Sequence, residues 1–251
     1  MAPDVLKLTT PIKLELVRIP AGAFLMGSDR DKDPLADVDE FPQHRVSLPD
    51  FYISRMLITN AHYAVFVRAT GHAAPRHWKD GEVPLDRVDH PVTYVLWDDA
   101  RDFCDWLSRE TGQLVRLPTE AEWEKAARGT DGRCYPWGED APTEALCNFG
   151  GKVDSTTPVG DYAPQGDSPY GCSDMAGNVL EWTQSLYKPY PYDPQDGRED
   201  LKSSGPRVLR GGSFSLNRHF ARCAFRNGGS PSYFSNFFGF RVVCFPSSSA
   251  L

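Results

Sequence analysis

The stretch from residue 129 to residue 206 most constrains the fold, because it is long and shows neither helical nor strand periodicity. Turn residues, glycine and aromatic side chains dominate it. A structureless loop of that length is uncommon inside a compact domain, and its tyrosines and tryptophans favour packing over exposure. The sequence therefore predicts an irregular but packed region that takes a large share of the chain.

Regular elements are predicted on either side of this region. An alternating apolar run at 15–26, interrupted by Pro20 and Gly22, predicts a β-hairpin, and 45–53 and 239–245 predict further strands. Apolar spacing, N-cap residues and terminal glycines predict three helices. These helices begin at Thr59, near Asp98 and at Thr119, and they end at Gly71, Gly112 and Gly129.

A single domain over 1–251 is predicted, since no linker, internal repeat or low-complexity segment beyond the SSSA tail divides the chain. The net charge of −7 argues against a nucleic-acid partner. No run is long and apolar enough to span a membrane, and the first residues lack the apolar region of an export signal, which predicts a cytoplasmic protein. The six cysteines, none in a CxxC pair, are expected to be reduced, with one or two disulfides as the alternative.

The charges are distributed unevenly. The charged run at 29–40 predicts a solvated loop, whereas after Asp200 the chain has seven basic residues and no acidic one. The late arginines are predicted to join the last segment to an acidic body. The alternative is a basic surface for an anionic ligand.

Eight motifs, in order along the chain, resemble those of a known family. They are IPAGAFLMGS (19–28), FYISRMLITNAHYAVFV (51–67), HPVTYVLWDDARDFCDWL (90–107), RLPTEAEWEKAARG (116–129), YPWG (135–138), DMAGNVLEW (174–182), RVLRGGSF (207–214) and GFRVV (239–243). Together they cover 16–244 and resemble the formylglycine-generating enzyme (sulfatase-modifying factor) family. The resemblance implies an α+β fold: an irregular C-type lectin-like fold with small antiparallel sheets, a few flanking helices and extensive loops.

The resemblance also implies where the family's chemistry would lie. Its oxidases hold copper(I) with two cysteines a few residues after the RGGS motif. Residues 214–221 of this chain contain no sulfur, and Cys223 matches a structural cysteine of the family. A second branch, the sulfoxide synthases of thiol-histidine biosynthesis, binds iron through a His-x3-His-x-Glu run that none of the six histidines begins. Neither copper nor iron is therefore expected, and the chain is predicted not to be an enzyme.

Calcium is the cofactor that the resemblance implies, in a structural role. In the family, the ion is held by the motif that here reads DMAGNVLEW. By position, Asp174 and Glu181 would supply carboxylate oxygens, and Gly177 and Val179 would supply backbone carbonyls. Oxygen ligands of this kind suit a hard cation. The alternative is that the two acids only bind backbone amides in a tight turn.

The C-terminal segment has an unusual composition. Of the 24 residues 215–238, 15 are Ser, Asn, Gly, Tyr or Phe, and none is Lys, Glu, Asp, Gln or β-branched. Core strands favour β-branched residues and solvated loops usually carry Lys and Glu, so the segment matches neither. Small polar residues mixed with aromatics are typical of antibody-type paratopes.

The same segment resembles the variable region of diversity-generating retroelement proteins, which carry this lectin-type fold. Variable positions in those proteins descend from asparagine codons altered at their adenines. A variable region is therefore predicted at 210–245, with fixed arginines and Cys223 between ligand-binding residues that such codon changes can reach. The predicted ligand-binding residues are Ser215, Leu216, Asn217, His219, Phe225, Asn227, Gly228, Gly229, Ser230, Ser232, Tyr233, Phe234, Ser235, Asn236 and Phe237. The predicted fixed scaffold is Arg210, Arg218, Arg222, Cys223, Arg226, Pro231 and Arg241.

These patterns predict a non-catalytic protein that binds a variable ligand, a protein, with a diversified C-terminal surface. Two alternatives remain: a fixed-specificity accessory or interaction protein of the same family, and an oxidase-like enzyme of unknown chemistry. A narrower alternative concerns Phe234, Phe237 and Phe238, which form either part of the core or an exposed apolar patch.

Overall fold

A computed structural model describes residues 5–8, as backbone alone, and 10–245. Residues 1–4, on which the expectation of no export signal partly rests, and the SSSA tail lie outside the described residues. The strands are β1 (Val5–Leu8), β2 (Leu14–Ile19), β3 (Gly22–Met26), β4 (His44–Leu48), β5 (Phe51–Ser54), β6 (Leu114–Arg116), β7 (Leu180–Leu186), β8 (Arg207–Arg210), β9 (Arg226–Gly229), β10 (Phe238–Gly239) and β11 (Val243–Phe245). The α-helices are α1 (Asn60–Thr70), α2 (Trp97–Thr111) and α3 (Glu120–Arg128).

Two sheets and a two-stranded ribbon make up the framework. The larger sheet has the order β1-β2-β5-β11-β6 and is antiparallel throughout. The second sheet has the order β10-β7-β8-β9, in which β10 pairs with β7 in parallel. Strands β3 and β4 form the ribbon. One cluster of buried side chains joins both sheets to α1 and α2, so the two sheets share a core.

The three predicted helices are confirmed. Thr59 caps α1 by accepting a hydrogen bond from the backbone nitrogen of His62 (3.2 Å), and Gly71 ends it in the left-handed conformation. The cap of α3 is reciprocal, since Thr119 and Glu122 each bind the other's backbone nitrogen at 3.1 and 2.7 Å. Its Trp123 is fully buried. The capping residues within the first turn of these helices were therefore sufficient to predict where the helices begin.

The strand predictions are wrong in three details. The run 15–26 is not a hairpin, because β2 pairs with β1 and β5 whereas β3 pairs with β4 after the Pro20 turn. The run 45–53 is divided at Pro49, which cannot donate to a strand ladder, into β4 and β5. The run 239–245 serves two sheets, since β10 pairs with β7 and β11 pairs with β5 and β6. Apart from β1, which directly precedes β2, these partners lie farther away in the chain, and alternation does not indicate them.

The irregular region 129–206 is packed, as predicted. Its one regular strand among the described residues is β7, which the sequence did not predict and whose seven residues are all buried. Tyr135 and Tyr190 are also buried. A strand that is buried on both faces lacks the alternation of apolar and polar residues by which a strand is predicted from sequence. None of the described helices is long and apolar enough to span a bilayer.

Candidate functional site: the C-terminal segment and an adjoining cleft

The C-terminal segment leaves the second sheet at the end of β8 through a pair of glycines. Gly211 and Gly212 have φ angles of 92° and 73°, which residues with a Cβ rarely adopt. A Cβ on Gly212 would also stand 2.5 Å from the carbonyl oxygen of Phe220. The chain then passes through a short 3-10 helix (Arg218–Ala221), returns as β9 and crosses to β10. The RGGS motif therefore sets the path by which the segment starts.

Buried arginines bind this segment to the rest of the molecule. Arg226 donates to both carboxylate oxygens of Glu120 on α3, at 2.7 and 2.8 Å. Arg222 donates to both oxygens of Glu40, at 2.7 and 2.6 Å, and all four side chains are fully buried. Burial opposes ionisation of Glu120, yet Arg226 and Arg210 outweigh it and hold the pKa of that carboxyl below its usual value. The prediction that arginines join the last segment to an acidic body is confirmed.

Part of that acidic body comes from the loop at 29–40. Glu40 is fully buried, and Asp33 accepts a hydrogen bond from Arg222 at 2.8 Å. The prediction that this run is a solvated loop is wrong for these two residues, because a buried guanidinium requires nearby carboxylates. Arg218, which was predicted to be scaffold, is instead exposed.

Most of the fifteen predicted ligand-binding residues lie at the surface. Eight are exposed: Ser215, Asn217, Asn227, Gly228, Ser230, Ser232, Tyr233 and Asn236. Four are half-buried: Leu216, His219, Phe234 and Phe237. We call these twelve residues the C-terminal surface.

The structure places the other three inside the molecule, where they cannot contact a ligand. Phe225 is 4% exposed and packs edge-on against Phe220, with ring centroids 4.9 Å apart. Gly229 leaves no room for a side chain, since a Cβ there would lie 2.7 Å from Trp182. Ser235 is 8% exposed. The prediction rested on residue types that adenine changes in asparagine codons can reach. That criterion does not depend on burial, so it also selected these three buried residues.

A cleft of about 360 Å³ opens beside the C-terminal surface. The C-terminal segment supplies Phe214 and Asn236 to its lining, and an earlier part of the chain supplies His77, Tyr94 and Thr156. Tyr94 has a left-handed backbone (φ 59°), a conformation that is strained for a residue with a bulky side chain. The sequence singled out none of the cleft residues from outside the segment, because they come from three stretches that only the fold brings together.

Two histidines have lowered pKa values here: His77, which lines the cleft, and His90, whose Nδ1 lies 2.9 Å from the hydroxyl oxygen of the lining residue Thr156. Burial, and then the charges of Arg87 and Arg76, lower the pKa of His77 below its ordinary value of 6.5. Burial and then Arg87 lower the pKa of His90 in the same way. Arg87 itself is fixed by hydrogen bonds to the hydroxyl of Ser155 (2.7 Å) and the carbonyl of Thr156 (3.3 Å). A neutral imidazole can accept a proton at neutral pH.

The cysteines lie elsewhere. None lines the cleft, and all six are unpaired and buried or half-buried. Burial raises the pKa of Cys134 to about 12 and that of Cys172 to about 11. Thiols of this kind are not readily converted to the thiolates that bind soft metals. At 214–221, where the family's oxidases carry their two cysteines, this chain has no cysteine.

The two carboxylates of the predicted calcium motif have different partners: Asp174 accepts from neutral N–H groups, and Glu181 is paired with an arginine. Asp174 is buried and accepts hydrogen bonds from the backbone nitrogen of Gly160 (2.7 Å) and the amide of Asn178 (3.4 Å). Glu181 gives both of its oxygens to Arg241, at 2.6 and 2.9 Å. No three Asp, Glu, His or Cys side chains converge among the described residues. Asp174 thus has the position of a calcium ligand, and Glu181 is the counter-ion of Arg241 in this structure.

Sequence comparison identifies relatives along nearly the whole chain. A family model described as the sulfatase-modifying factor enzyme 1-like domain matches residues 6–245. The hercynine oxygenase of Mycolicibacterium thermoresistibile is 34% identical over 88% of this chain, and the match covers 56% of that protein. The formylglycine-generating enzyme of Streptomyces coelicolor is 33% identical over 90% of this chain and 88% of its own length. The chain thus spans little more than half of the hercynine oxygenase.

Solved structures share the fold. PvdO from Pseudomonas aeruginosa superposes with a TM-score of 0.83 at 29% identity, over 97% of this chain and 98% of its own. Treponema denticola variable protein 1 superposes with a TM-score of 0.75 at 25% identity, over 98% of this chain and 100% of its own. The predicted α+β, lectin-like fold of small sheets, few helices and long loops is confirmed.

These relatives correct one prediction. The absence of the two cysteines led to the expectation that the chain is not an enzyme, but the relatives that match most of it are named as enzymes, at 33% and 34% identity. The loss of one family chemistry does not exclude another on the same fold. The prediction of a non-enzyme is therefore contradicted.

Proposed function

The chain belongs to the sulfatase-modifying factor enzyme 1-like domain family, and from this premise we propose that it recognises its ligand with the C-terminal surface and the adjoining cleft. One observation carries the proposal: exposed side chains of small polar and aromatic type stand on a backbone that buried Arg–Glu pairs hold in place. A surface fixed before binding loses little conformational entropy when the ligand arrives. Aromatic and small polar residues then supply contact area and hydrogen bonds.

The exposed apolar residues around the cleft favour a protein or peptide ligand. Tyr233, on the C-terminal surface, is 58% exposed. Leu85, between two residues that line the cleft, is 93% exposed, and Val153, close in sequence to the lining residue Ser155, is 50% exposed. Exposed apolar side chains grouped around a concave site are typical of protein interaction surfaces.

The proposal can be tested by selecting peptides from a displayed random library on the wild-type chain. Peptides that bind the C-terminal surface should lose affinity for a variant carrying Tyr233→Ala and Asn236→Ala. Leu114→Ala is the matched control, because Leu114 is equally exposed (59%) but lies on β6 of the other sheet. If the selected peptides bind all three proteins with the same affinity, another surface recognises them and the proposal is wrong.

Catalysis in the cleft is the second candidate function. Its support is the enzyme names of the relatives together with the neutral His77, which lines the cleft, and His90 behind it. In this role the C-terminal surface would select the substrate, and an imidazole would move a proton to or from it. His77→Gln should then abolish turnover of a bound substrate while leaving its affinity within about threefold. Equal loss of affinity and turnover would assign His77 to binding alone.

We further propose that the residues of the C-terminal surface are diversified between copies of the gene. It is supported by the likeness to Treponema denticola variable protein 1 and by residue types that adenine changes in AAC codons can reach. Sequencing downstream of the gene should reveal a near-identical repeat that differs only at adenines, beside a reverse transcriptase gene. If no such repeat exists, the specificity of this surface is fixed, and recognition itself is unaffected.

We also propose a structural calcium ion at the DMAGNVLEW motif. The side chain of Asp174 and the carbonyls of Gly177 and Val179 would hold it, close to Glu181, which remains bound to Arg241. A cation there would compensate a buried carboxylate that otherwise accepts only neutral N–H donors. Calcium would then brace the loop between the long irregular region and β7.

A further inference from the structure

Arg76 is held at the rim of the cleft by two aromatic rings. Its guanidinium carbon lies 4.7 Å from the ring centroid of Tyr94 and 4.6 Å from that of Phe234. Tyr94 lines the cleft, and Phe234 belongs to the C-terminal surface. A guanidinium this close to two aromatic rings is attracted to their faces, and its N–H groups can still donate hydrogen bonds.

The N–H groups of Arg76 have no partner among the described residues. No hydrogen bond or salt bridge involves its side chain there, whereas Arg222 and Arg226 each bind a carboxylate through two nitrogens. An exposed arginine without a protein partner can bind a carboxylate through two parallel N–H groups. Arg76 therefore differs from the arginines that fix the C-terminal segment.

The neighbouring His77 supplies an independent observation. Its Nδ1 atom is buried and has no hydrogen-bond partner. Its ring packs against Tyr94, with centroids 4.9 Å apart, and lines the cleft. A buried polar atom without a partner is costly unless a ligand or water satisfies it. The unsatisfied imidazole nitrogen and the empty guanidinium stand on consecutive residues beside the same ring.

The charges that face this part of the cleft favour an anion. Arg87 adds a second positive group, fixed by Ser155 and Thr156. The acid that lines the cleft, Asp86, is largely exposed and lies 3.5 Å from the guanidinium of Arg87. The local balance is therefore positive although the whole chain carries −7.

We infer that Arg76 and His77 form a receptor for a carboxylate of the ligand, next to an aromatic wall made by Tyr94 and Phe234. The inference rests on the proposed recognition role of the cleft and names the chemistry that it selects. Arg76 receives the carboxylate through two N–H groups, and the imidazole of His77, which lines the cleft, stands beside it. On a peptide ligand, the carboxylate is either the C-terminus or an acidic side chain.

Three small probes test the receptor and distinguish these two sources. N-acetylphenylalanine carries a terminal carboxylate, N-acetylglutamyl-phenylalaninamide carries a side-chain carboxylate, and N-acetylphenylalaninamide is neutral. Dissociation constants are measured by ligand-observed NMR titration of the full chain. At least one of the two acids should bind about tenfold more tightly than the neutral amide. The acid that binds more tightly shows whether the carboxylate comes from a C-terminus or from an acidic side chain.

Substitutions test whether Arg76 causes the preference for the acid over the amide. Arg76→Met keeps a side chain of similar length against the two rings and should reduce the preference for the acid to less than about twofold, while Arg76→Lys should retain part of it. Arg30→Met is the matched control, because Arg30 is also exposed and stacks on a ring, that of Phe41, at 4.3 Å. It should leave the preference unchanged.

Three results would overturn the inference: equal binding of acid and amide, a preference that survives Arg76→Met, or no binding of any probe. The first two leave the proposed recognition by the C-terminal surface intact, because the peptide selection tests that surface through Tyr233 and Asn236. Equal peptide binding by the wild type and the Tyr233→Ala, Asn236→Ala variant, with an acid preference that Arg76→Met removes, would reject the proposed surface and keep the receptor.

Discussion

Single residues of the C-terminal segment are held by partners far away in the chain. Arg226 binds Glu120 across 106 residues, and Arg222 binds Glu40 across 182. Each pair lies in the core, where an uncompensated charge is costly. The sequence showed the excess of late arginines and the acidic character of the rest, but not which acid meets which arginine. That pairing depends on where α3 and the loop at 29–40 fold.

Removing one charge of such a pair should destabilise the protein strongly. Glu120→Gln leaves Arg226 buried without its counter-ion at almost unchanged volume, and it should lower the free energy of unfolding by roughly 3–5 kcal/mol. Guanidinium-induced unfolding measures this loss. Asp50→Asn is the control, because Asp50 pairs with Arg18 at the surface and should cost less than about 1 kcal/mol. Equal losses would show that the buried pair does not fix the segment.

At the scale of elements, helices and strands differ in how far the sequence predicts them. The cap residues and terminal glycines of α1 and α3 act within one turn, so local sequence was sufficient. Strand β7 is buried on both faces and had no alternation to reveal it. The motif at 239–243 was assigned to one strand, but the chain leaves one sheet after β10 and enters the other at β11.

The cap of α1 makes its stability dependent on pH. The backbone nitrogen of Thr59 donates to Nδ1 of His62 (3.3 Å), which requires an unprotonated ring. Burial lowers the pKa of His62 from its ordinary 6.5, so the neutral ring stabilises the folded state above pH 6.5. This contribution is lost as the pH falls through the lowered folded-state pKa.

His62→Gln should therefore flatten the dependence of stability on pH, because a glutamine at this position keeps the reciprocal cap without titrating. Urea unfolding at pH 5, 6, 7 and 8 compares the variant with the wild type. The wild type should lose more stability than the variant between pH 7 and pH 5. Parallel curves for the two proteins would show that His62 does not couple helix capping to pH.

At the scale of the whole molecule, one fold combines a rigid scaffold with a surface of different character. The two sheets share one core, and the long irregular region packs onto them through turns instead of regular elements. An irregular chain has few backbone ladders to hold it, so ion pairs and a bound cation gain importance for its order.

Excess chelator should lower the melting temperature of the wild type, and added calcium should restore it, since a ligand that binds only the folded state stabilises it by about 2.7 kcal/mol at a hundredfold excess over Kd. Asp174→Ala should abolish this response. Asp161→Ala, at another acid of the irregular region, should keep it. A melting temperature that neither chelator nor calcium moves would reject calcium at Asp174.

The sequence by itself determined the family, the fold class, the three helices and the absence of the family's cysteine pair, because each of these is written in local motifs and their order. It also located the C-terminal surface, since its residue types are not those of a core strand. Only the tertiary structure decided that Phe225, Gly229 and Ser235 face inward, and that Arg76 and His77 stand beside Tyr94 and Phe234. Burial and convergence depend on contacts between distant parts of the chain, and no local pattern records them.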